Sequence, residues 1–125
     1  MAKILVVDGS LSETQKLCGW LSQSGHHVIT TSYGADGVAL CLSEQPDAVV
    51  SDVMMSELNG YQVARQLSRH QSTRHIPVIL LSAQDHEADR EWGQRQGAKS
   101  VLNKPLNEHQ LLATLNQWLV DVAVT

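Results

Sequence analysis

Four polar residues that could share one chemistry each stand directly after a short apolar run. They are Asp8 after Ile4-Leu5-Val6-Val7, Asp52 after Ala48-Val49-Val50-Ser51, Ser82 after Val78-Ile79-Leu80-Leu81, and Lys104 after Val101-Leu102-Asn103. Two carboxylates held close together repel unless a cation lies between them. An all-oxygen site of this kind suits Mg²⁺, which keeps several waters and joins carboxylates to a phosphate. A lysine and a hydroxyl beside it can hold phosphoryl oxygens. The set is fitted to phosphoryl transfer onto a carboxylate, in which metal and ammonium neutralise the charge on the phosphoryl oxygens while the carboxylate attacks. Taken singly, each residue also has an ordinary structural explanation. An Asp or Ser at a strand end commonly caps the next segment, and a Lys before Pro is commonly a solvated charge. The chemical reading requires all four to reach one edge of one sheet.

The order of elements supplies that edge. The run at 4–7 is β-branched and short, as a strand buried on both faces should be. Ser10 and Glu13 have capping-box spacing, and Leu17, Trp20 and Leu21 share a helical face that ends at Gly25. Residues 27–31 form a more polar strand, suited to a sheet edge. Ala35, Val38, Ala39 and Leu42 then mark a second helix that Pro46 stops. The strand ending at Asp52 follows, then a polar loop over 56–59 and a third helix opening at Gly60, with Val63, Ala64 and Leu67 inward. Residues 76–81 are the most hydrophobic strand, with Pro77 near its start, where a missing donor costs least. A fourth helix over 85–96 is mostly polar and has a poor core stripe, as a loosely held or partner-facing helix would. A short strand over 100–103 precedes a last helix with Leu111, Leu112, Leu115, Trp118 and Leu119 on one side. Five alternating strand-helix units predict an α/β three-layer sandwich with a parallel sheet and right-handed crossovers. Ligands bind at the carboxyl edge of such sheets, which is where the four residues fall.

Composition narrows the class. A chain of 125 residues suits one domain, and 42% hydrophobic with 18% charged residues is ordinary for a globular protein. The net charge of −4 argues against nucleic acid as the main partner, because phosphate binding needs a basic face. Cys18 and Cys41 have neither CxxC spacing nor the density of a disulfide scaffold, which favours a reducing compartment. No run is long enough to insert in a membrane, and the start Met-Ala-Lys-Ile-Leu-Val-Val-Asp lacks a leader pattern, so the expected location is cytoplasmic. The histidines at 26, 27, 70, 75, 86 and 109 are scattered without metal-ligand spacing.

Val-Val-Asp at 6–8, Ser-Asp-Val-Met-Met at 51–55 with Asn59-Gly60, Leu-Ser-Ala at 81–83 and Asn-Lys-Pro at 103–105 stand in the order of a known pattern. Over its whole length the chain resembles a receiver domain of two-component response regulators. The resemblance implies a flavodoxin-like sheet of order 2-1-3-4-5 with five helices. It implies Asp52 as phosphoacceptor, Ser82 as the hydroxyl that moves to bind the phosphoryl group, and Lys104 as its counter-ion. It also implies Mg²⁺ held by Asp8, Asp52 and the backbone carbonyl of Met54. The partners it implies are a sensor histidine kinase and a downstream target at the surface of the fourth helix, fifth strand and fifth helix. Residues 1–125 would be a single receiver domain without an output domain, signalling by binding or acting as a phosphate sink, and not an enzyme beyond its own phosphorylation and dephosphorylation. Similarity at 34–40, 59–62, 64–67 and 92–98 points toward the PilH-like branch, which serves the chemotaxis-like control of type IV pilus twitching motility.

Three positions depart from that pattern. Gly9 stands where such domains place a second acidic residue and direct metal ligand, so weaker Mg²⁺ binding is expected, with Glu57 as a candidate to reach back and replace it. Ser56 stands for the usual loop proline, which leaves the backbone less preset. Val101 stands where many members carry the Tyr or Phe that turns inward on activation, so coupling through that ring must work differently or not at all. These departures keep open a second class, a phosphorylation-independent pseudo-receiver that only binds partners. An aspartyl-nucleophile phosphohydrolase is disfavoured because Asp8-Gly9-Ser10 lacks a DxD, and a flavin carrier because the first loop lacks a Ser/Thr-rich cradle. Trp92, on the polar fourth helix, either packs on the sheet flank or anchors a partner.

Overall fold

A computed structural model describes residues 1–84 and 87–124, the side chains of 120–124 excepted. Its elements alternate as β1 (Lys3–Val7), α1 (Leu11–Gln23), β2 (His27–Thr31), α2 (Gly34–Glu44), β3 (Ala48–Asp52), α3 (Gly60–Arg69), β4 (Val78–Ser82), α4 (Glu87–Arg95), β5 (Ser100–Asn103) and α5 (Glu108–Val124). All strand pairs are parallel and the order is β2-β1-β3-β4-β5, the flavodoxin-like arrangement expected from the alternation and the motifs. The register sets Val7 beside Ser51, Asp52 beside Leu81, and Ser82 beside Asn103. The carboxyl ends of the three central strands are therefore level, which brings their polar residues to one edge.

Side chains alternate along a strand, so a sheet covered on both faces needs apolar residues at nearly every position. On one face Ile4, Val6, Val50, Ile79 and Leu81 pack with Leu17 and Leu21 of α1 and Leu111, Leu115 and Leu119 of α5. On the other, Leu5, Val7, Val49 and Leu80 pack with Cys41 of α2 and Val63, Ala64 and Leu67 of α3. Leu17, Leu21, Leu111 and Leu115 are wholly buried, and truncating any one to Ala costs about 2–5 kcal/mol. The edge strand β2 is half-exposed, as its polar sequence predicts.

Helix α4 buries only Gly93 among its residues, in agreement with its poor apolar stripe. Asp85, the expected start of that helix, and His86 lie outside the described residues. Among the described residues no helix is long and apolar enough to cross a membrane.

Candidate functional site

Asp52 is the last residue of β3 and is 7% exposed. The loop after it is held from its far end. Asn59 caps α3 through a reciprocal box, its side chain accepting the Gln62 N–H (2.9 Å) while Gln62 Oε1 accepts the Asn59 N–H (2.8 Å). Gly60 then lies against the strand end, where a Cβ would stand 2.4 Å from the Asp52 carbonyl oxygen and 2.8 Å from Val53 Cα. Only glycine permits that approach, and the Gly60 N–H donates to the Val53 carbonyl at 3.0 Å. The loop is thus defined without the proline that Ser56 replaces.

Lys104 follows β5 directly, before a cis peptide bond to Pro105, and its N–H donates to the Ser82 carbonyl at 2.8 Å. Its ammonium reaches across the sheet edge to two carboxylates, Asp52 Oδ1 at 3.0 Å and Glu13 Oε2 at 2.6 Å. Burial works against the lysine charge, yet its contacts with Glu13 and Asp52 hold it above the usual lysine range. Glu13 answers in kind. Burial, the largest single effect, would raise its carboxyl, but its contacts with Lys104 and Asp8 together outweigh this and hold it below its ordinary value.

Asp8 lies beneath the pair and is 1% exposed. The Ser10 N–H donates to its Oδ1 at 2.8 Å, while its Oδ2 is buried without a hydrogen-bond partner. Burial first, with help from neighbouring Glu13 and Asp52, pushes the Asp8 carboxyl up to about 6 against the lowering effect of the Ser10 bond. One oxygen each from Asp8, Glu13 and Asp52 lies within 4.8 Å of the other two. When ionised, these three carboxylates face one ammonium.

Of the residues expected at this edge, Asp8, Asp52 and Lys104 come together as the spacing implies. Ser82 is buried at the same edge but its hydroxyl is turned aside, donating to the Gln84 carbonyl (3.3 Å) and accepting the Gln84 N–H (3.2 Å). The Gln84 carbonyl also accepts from Asn103 Nδ2 at 2.6 Å. The Met54 side chain is 74% exposed beside the loop.

Glu57 does not join the acidic group. It is exposed, on a backbone with φ of 66°. The third carboxylate is Glu13, whose spacing from Ser10 suggests only a helix cap. Half of that cap exists, since Ser10 Oγ accepts the Glu13 N–H at 3.4 Å. The reciprocal half does not, because the Ser10 N–H is spent on Asp8 and the Glu13 carboxylate on Lys104. The available signal was topological: the first turn of the helix after β1 lies over the carboxyl edge.

Val101 is buried under α4, where a Cβ on Gly93 would stand 2.7 Å from Val101 Cγ2 and 3.5 Å from Tyr61 Cε1. Trp92, on the same helix, is 50% exposed, half covered and half open to solvent. Cys18 and Cys41 are free thiols. Among the described residues no histidine enters a group that could hold a metal.

The acidic group fits Mg²⁺. Its donors are hard carboxylate oxygens gathered within 4.8 Å of one another, the ligand type that Mg²⁺ takes. A cation would also supply the partner that Asp8 Oδ2 lacks.

Comparison with known proteins agrees with this geometry. Residues 4–116 match the family model of the response regulator receiver domain. The chain is 47% identical to the protein PilH of Pseudomonas aeruginosa, over 95% of this chain and 98% of that one. It is 37% identical to the response regulator PleD of Caulobacter vibrioides, over 90% of this chain but only 25% of that longer protein. Among solved structures, the chemotaxis protein CheY4 of Vibrio cholerae superposes with a TM-score of 0.89 at 29% identity, covering 95% of this chain and 99% of that one.

Proposed function

The chain belongs to the response regulator receiver domain family, and from that premise we propose that Asp52 accepts a phosphoryl group from the phosphohistidine of a sensor histidine kinase. The observation that carries this is the Asp52 carboxylate at the sheet's carboxyl edge, 3.0 Å from Lys104 Nζ and grouped with Asp8. An Asp52 oxygen attacks the phosphorus as the bond to the imidazole nitrogen breaks, leaving an acyl phosphate on the protein and a free histidine on the kinase. Lys104 transfers its ion pair from the Asp52 carboxylate to a phosphoryl oxygen. Ser82 gives up its bonds to Gln84 and donates its hydroxyl to another. Asp8, Asp52 and the Met54 carbonyl would hold Mg²⁺, which when bound neutralises charge on the carboxylates and the phosphoryl oxygens.

Replacing the singly charged carboxylate by a doubly charged acyl phosphate adds about one negative charge and three acceptor oxygens, which bias the surface of α4, β5 and α5, where Trp92 is half-exposed, toward a downstream protein. The end-to-end match to PilH supports a stand-alone cytoplasmic receiver in control of type IV pilus twitching motility, acting as messenger or phosphate sink. The net charge of −4 supports protein partners over nucleic acid. The test is incubation with Mg²⁺ and acetyl phosphate, followed by mass spectrometry. One added phosphoryl group, lost in Asp52→Ala, is expected. An adduct that survives Asp52→Ala overturns Asp52 as the site, and no adduct overturns the proposal and favours the phosphorylation-independent binding module that Gly9 and Val101 suggest.

A further inference from the structure

Gly9 has no structural reason to be glycine. Its backbone is outside the left-handed region, and a Cβ there would meet nothing nearer than the Ser32 carbonyl oxygen at 3.9 Å. The acid that the family pattern places at this position is therefore missing without steric cause. The pocket nevertheless holds three carboxylates, because Glu13 arrives from the first turn of α1.

We propose that Glu13 is a divalent-cation ligand of this receiver, taking the place of the acid absent at position 9. This rests on the phosphoacceptor reading above and assigns the metal site a residue from a different element. Two observations carry it. A Glu13 oxygen lies within 4.8 Å of oxygens of both Asp8 and Asp52, so the three carboxylates are gathered where one small cation could draw them together. Asp8, in the same group, keeps a buried Oδ2 with no hydrogen-bond partner, a position that a cation between the carboxylates would satisfy.

The Glu13 carboxylate is also not spent on its helix cap, since the Ser10 N–H it would accept is already taken by Asp8. In the metal-free protein Lys104 does the neutralising, bridging Glu13 and Asp52. Metal binding exchanges the ammonium for the cation at Glu13 and so frees Lys104 for a phosphoryl oxygen. Binding of the ion and readiness of the lysine are thereby coupled through one side chain.

The experiment is Mn²⁺ binding to the full, unphosphorylated chain, read from the paramagnetic resonance signal of free Mn²⁺ with Mg²⁺ as competitor. Glu13→Gln is expected to weaken binding at least about tenfold. Glu13→Asp, which keeps the charge but shortens the reach, weakens it as well, whereas Glu57→Gln leaves it unchanged. Adding Gly9→Asp to Glu13→Gln restores affinity. Wild-type affinity in Glu13→Gln overturns the proposal, as does wild-type affinity in Glu13→Asp, which would reduce Glu13 to a distant charge. Phosphorylation of Asp52 with Mn²⁺ binding indifferent to Glu13 refutes the ligand alone. Glu13-dependent Mn²⁺ binding without any adduct on Asp52 refutes the phosphoacceptor reading alone. Absence of binding in the wild type refutes the ligand outright.

Discussion

Replacing Asp8 by Asn should stabilise the metal-free protein at neutral pH. The carboxyl of Asp8 is raised from 3.8 to about 6 in the fold, chiefly by burial and then by Glu13 and Asp52. A raised acid binds its proton more tightly when folded, so the native state holds more protons than the unfolded chain between about pH 4 and 6, and stability falls as pH rises through that window. A shift of this size corresponds to about 3 kcal/mol lost by pH 7. Asparagine removes the charge, keeps an oxygen for the Ser10 N–H, and offers an amide to Glu13 or Asp52 in place of the unpartnered Oδ2. For a domain of this length the gain amounts to a Tm rise of about 10 °C. Thermal unfolding followed by circular dichroism in EDTA, from pH 5 to 8, measures it. The gap between variant and wild type should be full above pH 6, shrink toward pH 4, and narrow when Mg²⁺ is added to the wild type. An Asp8→Asn variant no more stable than wild type at pH 7.5, or a gap independent of pH, would refute the reasoning.

Three further outcomes follow from the same geometry. Gly60→Ala places a Cβ 2.4 Å from the Asp52 carbonyl and should cost about 1–3 kcal/mol in urea unfolding while slowing acetyl-phosphate labelling; full stability would show that the loop is not pinned there. Lys104→Met leaves Asp52 and Glu13 without their cation, so it should lower stability at pH 7 by about 1–3 kcal/mol and lose less at pH 5, as differential scanning calorimetry would reveal. Trp92→Ala removes a half-exposed ring that belongs to neither apolar cluster and should cost no more than about 1–2 kcal/mol in urea unfolding; a loss of about 3–5 kcal/mol would place the ring in the core.

Much of this architecture is legible in the chain because parallel strands buried on both faces read as unbroken apolar runs, and each of these ends in the polar residue that marks its carboxyl end. Asp8, Asp52 and Lys104 could be placed together from that rule alone. Glu13 could not, because its spacing from Ser10 already has a sufficient local explanation as a cap, and the competing hydrogen bonds that undo the cap come from Asp8 and Lys104, distant in sequence or on another element. Glu57 misleads for the opposite reason. It is near Asp52 along the chain, but the left-handed turn at its own backbone and the docking of Gly60 leave its side chain outside the acidic group. The orientation of Ser82 is likewise a property of the Gln84 backbone that no pattern of residue types encodes.

The close fit of Gly93 over Val101 bears on how this chain can change. A methyl at 93 would overlap the valine, and a ring at 101 would need the space that α4 now fills. Gly93 has no side chain to give up, so no exchange at 93 can make room for a larger residue at 101. Substitutions that enlarge both sites would compete for the same space, so their effects should not add. Room for a ring at 101 would have to come from movement of α4 itself, which makes the seating of that helix, rather than any one side chain on it, the limit on what position 101 can hold.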